Sequence, residues 1–170
     1  QCTMRDAITT ALTLDIFHRN CDKVKMACVA QTVNVLNALI LTEKEHTVLT
    51  PNYDVFLMYK VHRGARPMKL KKKDVDPKIH LFASCKGDEI YVNVVNADCK
   101  KAKDVTLHFE EDMETVSTET LRGDSITDYN SVECPDKIRR KAGSLPEHGK
   151  DGFVFHAEAA SVNVLKFRKK

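Results

Sequence analysis

Tryptophan is absent from the 170-residue sequence, and aromatic residues together make up only 6% of it. Because proteins hold sugar rings against aromatic faces, this composition argues against an aromatic sugar-binding platform. There is no signal peptide, and no apolar run reaches the roughly 18 residues of a membrane-spanning helix, so we expect no membrane partner. The chain is also too short for a complete (β/α)8 barrel, which needs about 250 residues.

The short motifs of many enzymes and metal sites are missing too. The sequence has no Cys-x-x-Cys pair, no His-Glu-x-x-His, no phosphate-binding loop, no dinucleotide fingerprint and no nucleophile elbow. We therefore predict no metal and no cofactor. The six cysteines are expected to be reduced, and Cys28, which lies in an apolar run, is expected to be buried. This pattern and the lack of a signal peptide favour a cytoplasmic location.

Charge gives little indication of a nucleic-acid partner. The formal net charge is only +3. Basic clusters occur around Lys71, Arg139 and Lys169, but no aromatic RNA-binding motif or helical basic stripe accompanies them. We interpret these clusters as solvated loops and a charged tail, and we predict no nucleic-acid partner.

The first third of the chain has the pattern of an α/β protein. Thr3 and Asp6 predict a capped helix start, and apolar spacing continues the helix to about Asn20. The short apolar run from Val24 to Ala30 predicts a strand buried on both faces. A second helix is predicted from Asn52 to His62, closed by Gly64.

After Gly64 the pattern changes to short alternating segments separated by polar turns. The predicted strands are Ile79–Ser84, Glu89–Val95, Asp104–Phe109, Glu114–Leu121, Gly152–Ala157 and Ser161–Phe167. Lys86-Gly87-Asp88 predicts a hairpin turn. Regular short strands of this kind indicate an antiparallel sandwich or jelly roll. The fold class is therefore mixed α and β, mainly β, with two unlike parts: residues 1–64 and residues 65–170.

Gln31 is the most informative candidate for a binding residue. It follows the predicted buried strand, and in α/β sheets and barrels the carboxyl end of such a strand carries the ligand site. Its amide could donate to and accept from a sugar hydroxyl, or it could be satisfied by nearby backbone. Asn34 and Asn37 are better interpreted as turn or cap residues. No pair of carboxylates is placed for acid–base catalysis, and the glutamates near positions 43 and 110 are expected to be exposed.

Two stretches carry a dense sequence motif: LDIFHR with DKVKMACVAQTVNVL up to Leu36, and LTPNYDVF with MYKVH up to His62. Both closely resemble the C-terminal portion of α-L-arabinofuranosidases of glycoside hydrolase family 51. Val95–Asp98, Tyr129–Asp136 and Ala160–Leu165 look like that family's sandwich motifs. The resemblance covers essentially the whole chain, with departures such as Asp54, where the family commonly has His.

The resemblance implies a (β/α)8 barrel followed by a jelly-roll β-sandwich. Residues 1–64 would be the C-terminal end of the barrel, with Val24–Gln31 as its eighth strand, and residues 65–170 would be the sandwich. The implied chemistry is retaining hydrolysis of terminal non-reducing α-L-arabinofuranosyl residues from arabinan, arabinoxylan and related oligosaccharides by two glutamates. Neither the Asn-Glu-Pro nor the Asp-Glu-Trp-like motif of those glutamates occurs here. We assign no catalytic residue to this chain and expect both glutamates upstream of Gln1.

One functional residue carries over by resemblance. The family's Ala-Gln pair after the eighth strand matches Ala30-Gln31, and that glutamine contacts the arabinofuranose ring. The implied partner is an arabinose-containing oligosaccharide or polysaccharide, and the full-length enzyme is expected to be a homo-oligomer. The alternative is a non-catalytic β-sandwich that serves as a carbohydrate-binding or interaction module.

Overall fold

The computed structural model describes residues 2–29 and 31–170 of the chain. Helix α1 spans Met4–Arg19, and helix α2 spans Pro51–Tyr59 and continues as a 3-10 turn over Lys60–His62. Both helices lie where the sequence predicts them. The predicted cap of α1 is present as well, because the backbone N–H and the hydroxyl of Thr3 both donate to the Asp6 carboxylate, at 2.8 and 3.0 Å.

The described residues also form eleven strands. These are β1 (Ile40–Glu43), β2 (His46–Leu49), β3 (Arg66–Pro67), β4 (Ile79–Lys86), β5 (Glu89–Asn96), β6 (Lys103–Leu107), β7 (Met113–Arg122), β8 (Lys141–Ala142), β9 (Glu147–Gly149), β10 (Gly152–Ala157) and β11 (Ser161–Lys169). All six predicted strands are among them, and their ends differ from the predicted ends by no more than two residues. The predicted hairpin joins β4 to β5, with Gly87 in the left-handed region at φ 59°.

The strands form a large sheet of order β3-β4-β5-β11-β7-β8, a small sheet of order β6-β10-β9, and the separate hairpin β1-β2. Every pairing between these strands is antiparallel. The predicted mainly β fold with an antiparallel sandwich is therefore confirmed.

One hydrophobic core lies between the large and the small sheet. Val92 and Val94 of β5 and Leu165 of β11 face Val105 of β6 and Phe155 of β10 across this space. Their alternation along each strand is the pattern that predicts the strands from sequence, because successive side chains point to opposite faces.

A second core lies on the opposite face of the large sheet, where α1 and α2 pack. Ala7 and Ile8 of α1 and Met58 of α2 are buried against Val162 and Val164 of β11. The large sheet is thus the middle of three layers, with helices on one face and the small sheet on the other. Residues on both sides of the predicted boundary at Gly64 share this second core.

Candidate functional site

The segment leading to Gln31 differs from its prediction. Residues 24–29 and Gln31 form no strand, and Met26 and Cys28 are exposed. The expectations of a buried strand and of a buried Cys28 are therefore wrong for this structure. The physical reason is the lack of partners: a strand is stabilised by hydrogen bonds to neighbouring strands, and no described strand pairs with this segment.

The loop after Gln31 has a defined conformation, because two asparagines adopt left-handed backbone angles in it. Asn34 has φ 55° and Asn37 has φ 62°. The Asn34 side chain accepts from the Thr42 N–H at 2.8 Å and donates to the Thr42 hydroxyl at 2.8 Å. The interpretation of both asparagines as turn residues is confirmed.

A chain of polar side chains fastens the same loop to both helices. The Asn52 amide at the start of α2 donates to Oδ1 of Asn37 at 2.6 Å, and the Thr10 hydroxyl of α1 donates to Oδ1 of Asn52 at 3.2 Å. The Thr50 hydroxyl donates to the Ala38 carbonyl at 2.8 Å. The loop that follows Gln31 is thus held against the helical layer.

The Gln31 side chain itself is exposed and makes no hydrogen bond with the described residues. Its amide therefore keeps both a donor and an acceptor available for a ligand. The geometry allows Gln31 to contact a sugar hydroxyl, but no acid–base pair lies in the same loop. The glutamates at positions 43, 45, 110 and 111 are exposed, as the sequence predicts.

The structure also reveals a buried polar chain that the sequence did not predict. The Asn93 amide of β5 donates to Oδ1 of Asp15 on α1 at 2.7 Å. The side-chain oxygen Oδ1 of Asn93 lies 2.8 Å from Nε2 of His62, and Nδ1 of His62 lies 2.8 Å from the Ser84 hydroxyl of β4. Since Oδ1 of Asn93 can only accept, His62 carries its proton on Nε2 and accepts from Ser84.

Burial shifts the pKa values of the two titratable members of this chain in opposite directions. It raises the pKa of the Asp15 carboxyl to about 6, against the opposing hydrogen bond from Asn93. It lowers the pKa of the His62 imidazole to about 4. Because the four side chains are almost fully enclosed, with Asp15 only 1% exposed, they serve to join α1, the 3-10 turn and the large sheet.

A second buried carboxylate fastens α2 to the segment after β7. Oδ2 of Asp54 accepts from Nε of Arg139 at 2.8 Å and from the backbone N–H of Arg140 at 3.3 Å. The Asn130 amide of the same segment donates to the Leu49 carbonyl at 2.8 Å. Asp54, which departs from the family's usual His, therefore has an ion-pair partner supplied by the sandwich part of the chain.

Other chemistry is not supported within residues 2–29 and 31–170. No three His, Cys, Asp or Glu side chains in those ranges are grouped to hold a metal ion. Each of the six cysteines, all in that part of the chain, is an unpaired thiol. Neither helix there has the length and apolar character needed to cross a membrane.

Comparison with known proteins decides what this arrangement belongs to. The family described as "Alpha-L-arabinofuranosidase C-terminal domain" matches residues 1–161. The chain belongs to this family. The match extends across the helical layer and the sandwich strands up to the start of β11.

Individual relatives agree. The chain is 37% identical over 150 residues to an intracellular exo-α-L-arabinofuranosidase of Bacteroides ovatus, covering 82% of this chain and 29% of that protein. It is 29% identical over 143 residues to a probable α-L-arabinofuranosidase C of Aspergillus clavatus, covering 75% of this chain and 28% of that protein.

A solved structure shows the same fold. The GH51 arabinofuranosidase from Xanthomonas axonopodis pv. citri superposes with a TM-score of 0.88 at 29% identity, over 99% of this chain and 36% of that one. The chain spans under a third of the curated relatives named here. It corresponds to the part of those proteins that the C-terminal-domain family describes.

Proposed function

We propose that this domain acts as the non-catalytic C-terminal part of a longer retaining α-L-arabinofuranosidase. The longer enzyme removes terminal non-reducing α-L-arabinofuranosyl residues from arabinan, arabinoxylan and related oligosaccharides. The observation that carries the proposal is the family match over residues 1–161, together with 37% identity to an exo-acting relative. The absence of an acid–base pair around Gln31 supports a non-catalytic role for the domain itself.

Within this proposal, Gln31 contacts the arabinofuranosyl ring. Three features support the role: its exposed amide, the lack of a competing hydrogen bond among the described residues, and the fastened loop that follows it. A loop held by Asn37 and Thr50 loses little freedom when a sugar binds, so a hydrogen bond from Gln31 would contribute most of its strength to binding.

The first test compares two proteins on an aryl α-L-arabinofuranoside. The 170-residue chain alone should give no turnover, whereas the same chain joined to the catalytic segment encoded before it should be active. In that longer enzyme, Gln31→Ala should lower kcat/KM roughly 5- to 150-fold. This corresponds to a loss of about 1–3 kcal/mol of transition-state stabilisation, because a hydrogen bond in a sugar site is lost.

The matched control is Leu36→Ala, which changes an exposed side chain of the same loop and removes no polar group. It should leave kcat/KM within about twofold of the parent enzyme. Turnover by the isolated chain would contradict its non-catalytic role. Equal kcat/KM values for Gln31→Ala and Leu36→Ala would contradict the sugar contact.

A further inference from the structure

A groove of about 610 Å³ lies between the end of α2 and the large sheet. A second hollow of about 430 Å³ adjoins it, and Lys60 and Lys86 line both. We call the two hollows together the basic groove. Their cationic lining residues are Lys60, Arg63, Lys86, Arg140 and Lys166. It lies apart from Gln31, since the loop that carries Gln31 contributes no residue to the lining.

The positive charge of the basic groove is only partly balanced. Arg140 pairs with Glu119, and Lys166 pairs with Glu89 at 2.6 Å. Within the described part of the chain, no carboxylate lies within 4.0 Å of the charged groups of the three remaining cations, Lys60, Arg63 and Lys86.

Helix-end electrostatics explain only part of this cluster. Lys60 and Arg63 lie at the carboxyl end of the helical segment, where cations are favoured. Lys86 is instead the last residue of β4, and its ammonium donates to the Arg63 carbonyl at 3.4 Å. Two unrelated elements thus bring three unpaired cations to one concave surface.

The rest of the lining suits a ligand that carries hydroxyl groups. Ser117 of β7 is exposed and lines the groove, and its partner in the sheet, Lys166 of β11, lines the groove as well. Because successive side chains of a strand point to opposite faces, the Ser117 hydroxyl lies on the helical face of the large sheet, where it can bond a hydroxyl of a ligand. Val61 and Val164 provide apolar surface for the C–H faces of a sugar ring.

We propose that the basic groove binds an oligosaccharide that carries carboxylate groups, such as a uronic-acid segment of the polymer being trimmed. Lys60, Arg63 and Lys86 hold the carboxylates, and Ser117 bonds a ring hydroxyl. The choice of a glycan over another polyanion rests on the proposed function. On this basis the enzyme would prefer arabinofuranosyl groups attached to acidic polymers.

The experiment is a titration of the 170-residue chain with a short oligogalacturonate, a neutral arabino-oligosaccharide of equal length and a single-stranded oligonucleotide of equal charge. The oligogalacturonate should bind, and its affinity should fall as salt rises, because exposed ion pairs are screened. Amide NMR shifts in the wild-type chain should centre on Lys86 and Ser117. No binding of oligogalacturonate, or shifts elsewhere, would overturn the proposal, and tighter oligonucleotide binding would overturn the choice of a glycan.

Variants separate the groove from overall charge. The triple variant Lys60→Ser, Arg63→Ser and Lys86→Ser should lose at least tenfold in affinity. The control triple variant Lys23→Ser, Lys100→Ser and Lys150→Ser removes the same charge from exposed positions outside the groove and should keep wild-type affinity. Equal losses in both would show a nonspecific charge effect and overturn the site.

Failure of this inference would be distinguishable from failure of the proposed function. Hydrolysis of a neutral aryl arabinofuranoside by the longer wild-type enzyme tests the proposed function and needs no carboxylate contact, whereas oligogalacturonate binding by the 170-residue chain tests the basic groove. The single variant Ser117→Ala, which removes the hydroxyl and keeps every charge, should weaken oligogalacturonate binding severalfold through loss of one hydrogen bond. Unchanged binding would exclude Ser117 from the site.

Discussion

Asp15 and His62 illustrate how two buried titratable residues can oppose each other. The folded-state pKa of Asp15 is raised to about 6, so burial of its charge destabilises the fold above that pH, and the penalty is relieved as pH falls towards 4. The folded-state pKa of His62 is lowered to about 4, so stability is lost as pH falls from about 6.5 to 4, because the unfolded imidazole takes up a proton that the folded one refuses. Asn93 bonds to both residues and couples the two effects.

Substituting Asp15 or His62 should separate their two effects on the pH dependence of stability. For Asp15→Asn, the free energy of unfolding should fall more steeply than that of the wild type between pH 6.5 and 4. For His62→Gln, it should fall less steeply or rise, since only the Asp15 effect remains. Between pH 6.5 and 4, the change in the free energy of unfolding of each variant should differ from that of the wild type by up to ~3 kcal/mol. A shift of about two pKa units corresponds to that free energy. Urea unfolding at several pH values measures this.

Other charged or titratable groups face the same region and must be kept constant in this comparison. They lie on α1, α2, the loop before β4 and the sheet: His18, Arg19, Tyr59, Lys72, His80 and Tyr91. Burial lowers the pKa of His18 and of His80, so both add to the loss of stability on acidification in every variant. Parallel pH profiles for the wild type and both variants would refute the assignment to Asp15 and His62.

At the scale of the elements, two glycines, one at the start of a strand and one in a turn, show how backbone geometry fixes the strands. Gly152 begins β10 at φ 121°, and a Cβ there would lie 2.5 Å from the Leu107 carbonyl oxygen of β6. Gly87 has φ 59° in the β4-β5 turn, and nothing lies within 4 Å of a Cβ added there. Gly152 therefore combines a conformational and a steric need for glycine, whereas Gly87 has only the first.

Alanine substitutions should reflect this difference. Gly87→Ala should cost about 1 kcal/mol of unfolding free energy, the usual penalty for a left-handed non-glycine residue. Gly152→Ala should cost about 2–4 kcal/mol, because a clash with the backbone of β6 is added to the strain. Urea denaturation of the two variants measures the difference. Equal losses would mean that the Leu107 contact is relieved without cost.

Sequence patterns predict some elements better than others for physical reasons. Strands such as β6 and β10 were predictable because burial alternates along them, which imposes a period of two on their apolar residues. The β1-β2 hairpin was missed, since its turn places Lys44 at φ 53° where glycine or asparagine is the usual signal. Val24–Gln31 was predicted as a strand from its composition, but composition cannot supply the hydrogen-bonding partners of a strand.

The residues of the candidate site also differ in how far the sequence could predict them. Gln31 could be singled out because it follows an apolar run and stands in a recognisable motif. The polar chain through Asp15 could not, because Asn93 lies 78 positions away along the sequence and 31 positions from His62. Such a network exists only once α1 has packed against β4 and β5. The one available signal was a carboxylate between apolar positions of a predicted helix.

At the scale of the whole molecule, apolar side chains are distributed unevenly over the surface. The helical layer buries its inner face, including Ala7, Ile8 and Met58, against the large sheet. Met26 and Leu36, however, are 82% and 92% exposed, and both flank Gln31. Exposed apolar groups close together in sequence, next to an unpaired segment, favour association with another surface.

We therefore expect the 170-residue chain to self-associate as its concentration rises. The double variant Met26→Glu, Leu36→Glu should reduce association, because each change adds charge to the exposed segment. The control Met68→Glu, Leu145→Glu adds the same charge at exposed apolar positions elsewhere and should associate like the wild type. Sedimentation velocity over a range of concentrations measures this, and a monodisperse wild-type monomer throughout would contradict the expectation.

Strand β11 lies in the interior of the large sheet, between β5 and β7, although it is the last of the described elements along the chain. During synthesis, β5 and β7 leave the ribosome well before the strand that joins them. Until residues 161–169 emerge, each has an unpaired edge and neither core can close, so the nascent sandwich depends on avoiding wrong partners. Because β11 is translated after both strands that it joins, the large sheet can be completed only once residues 161–169 have been made.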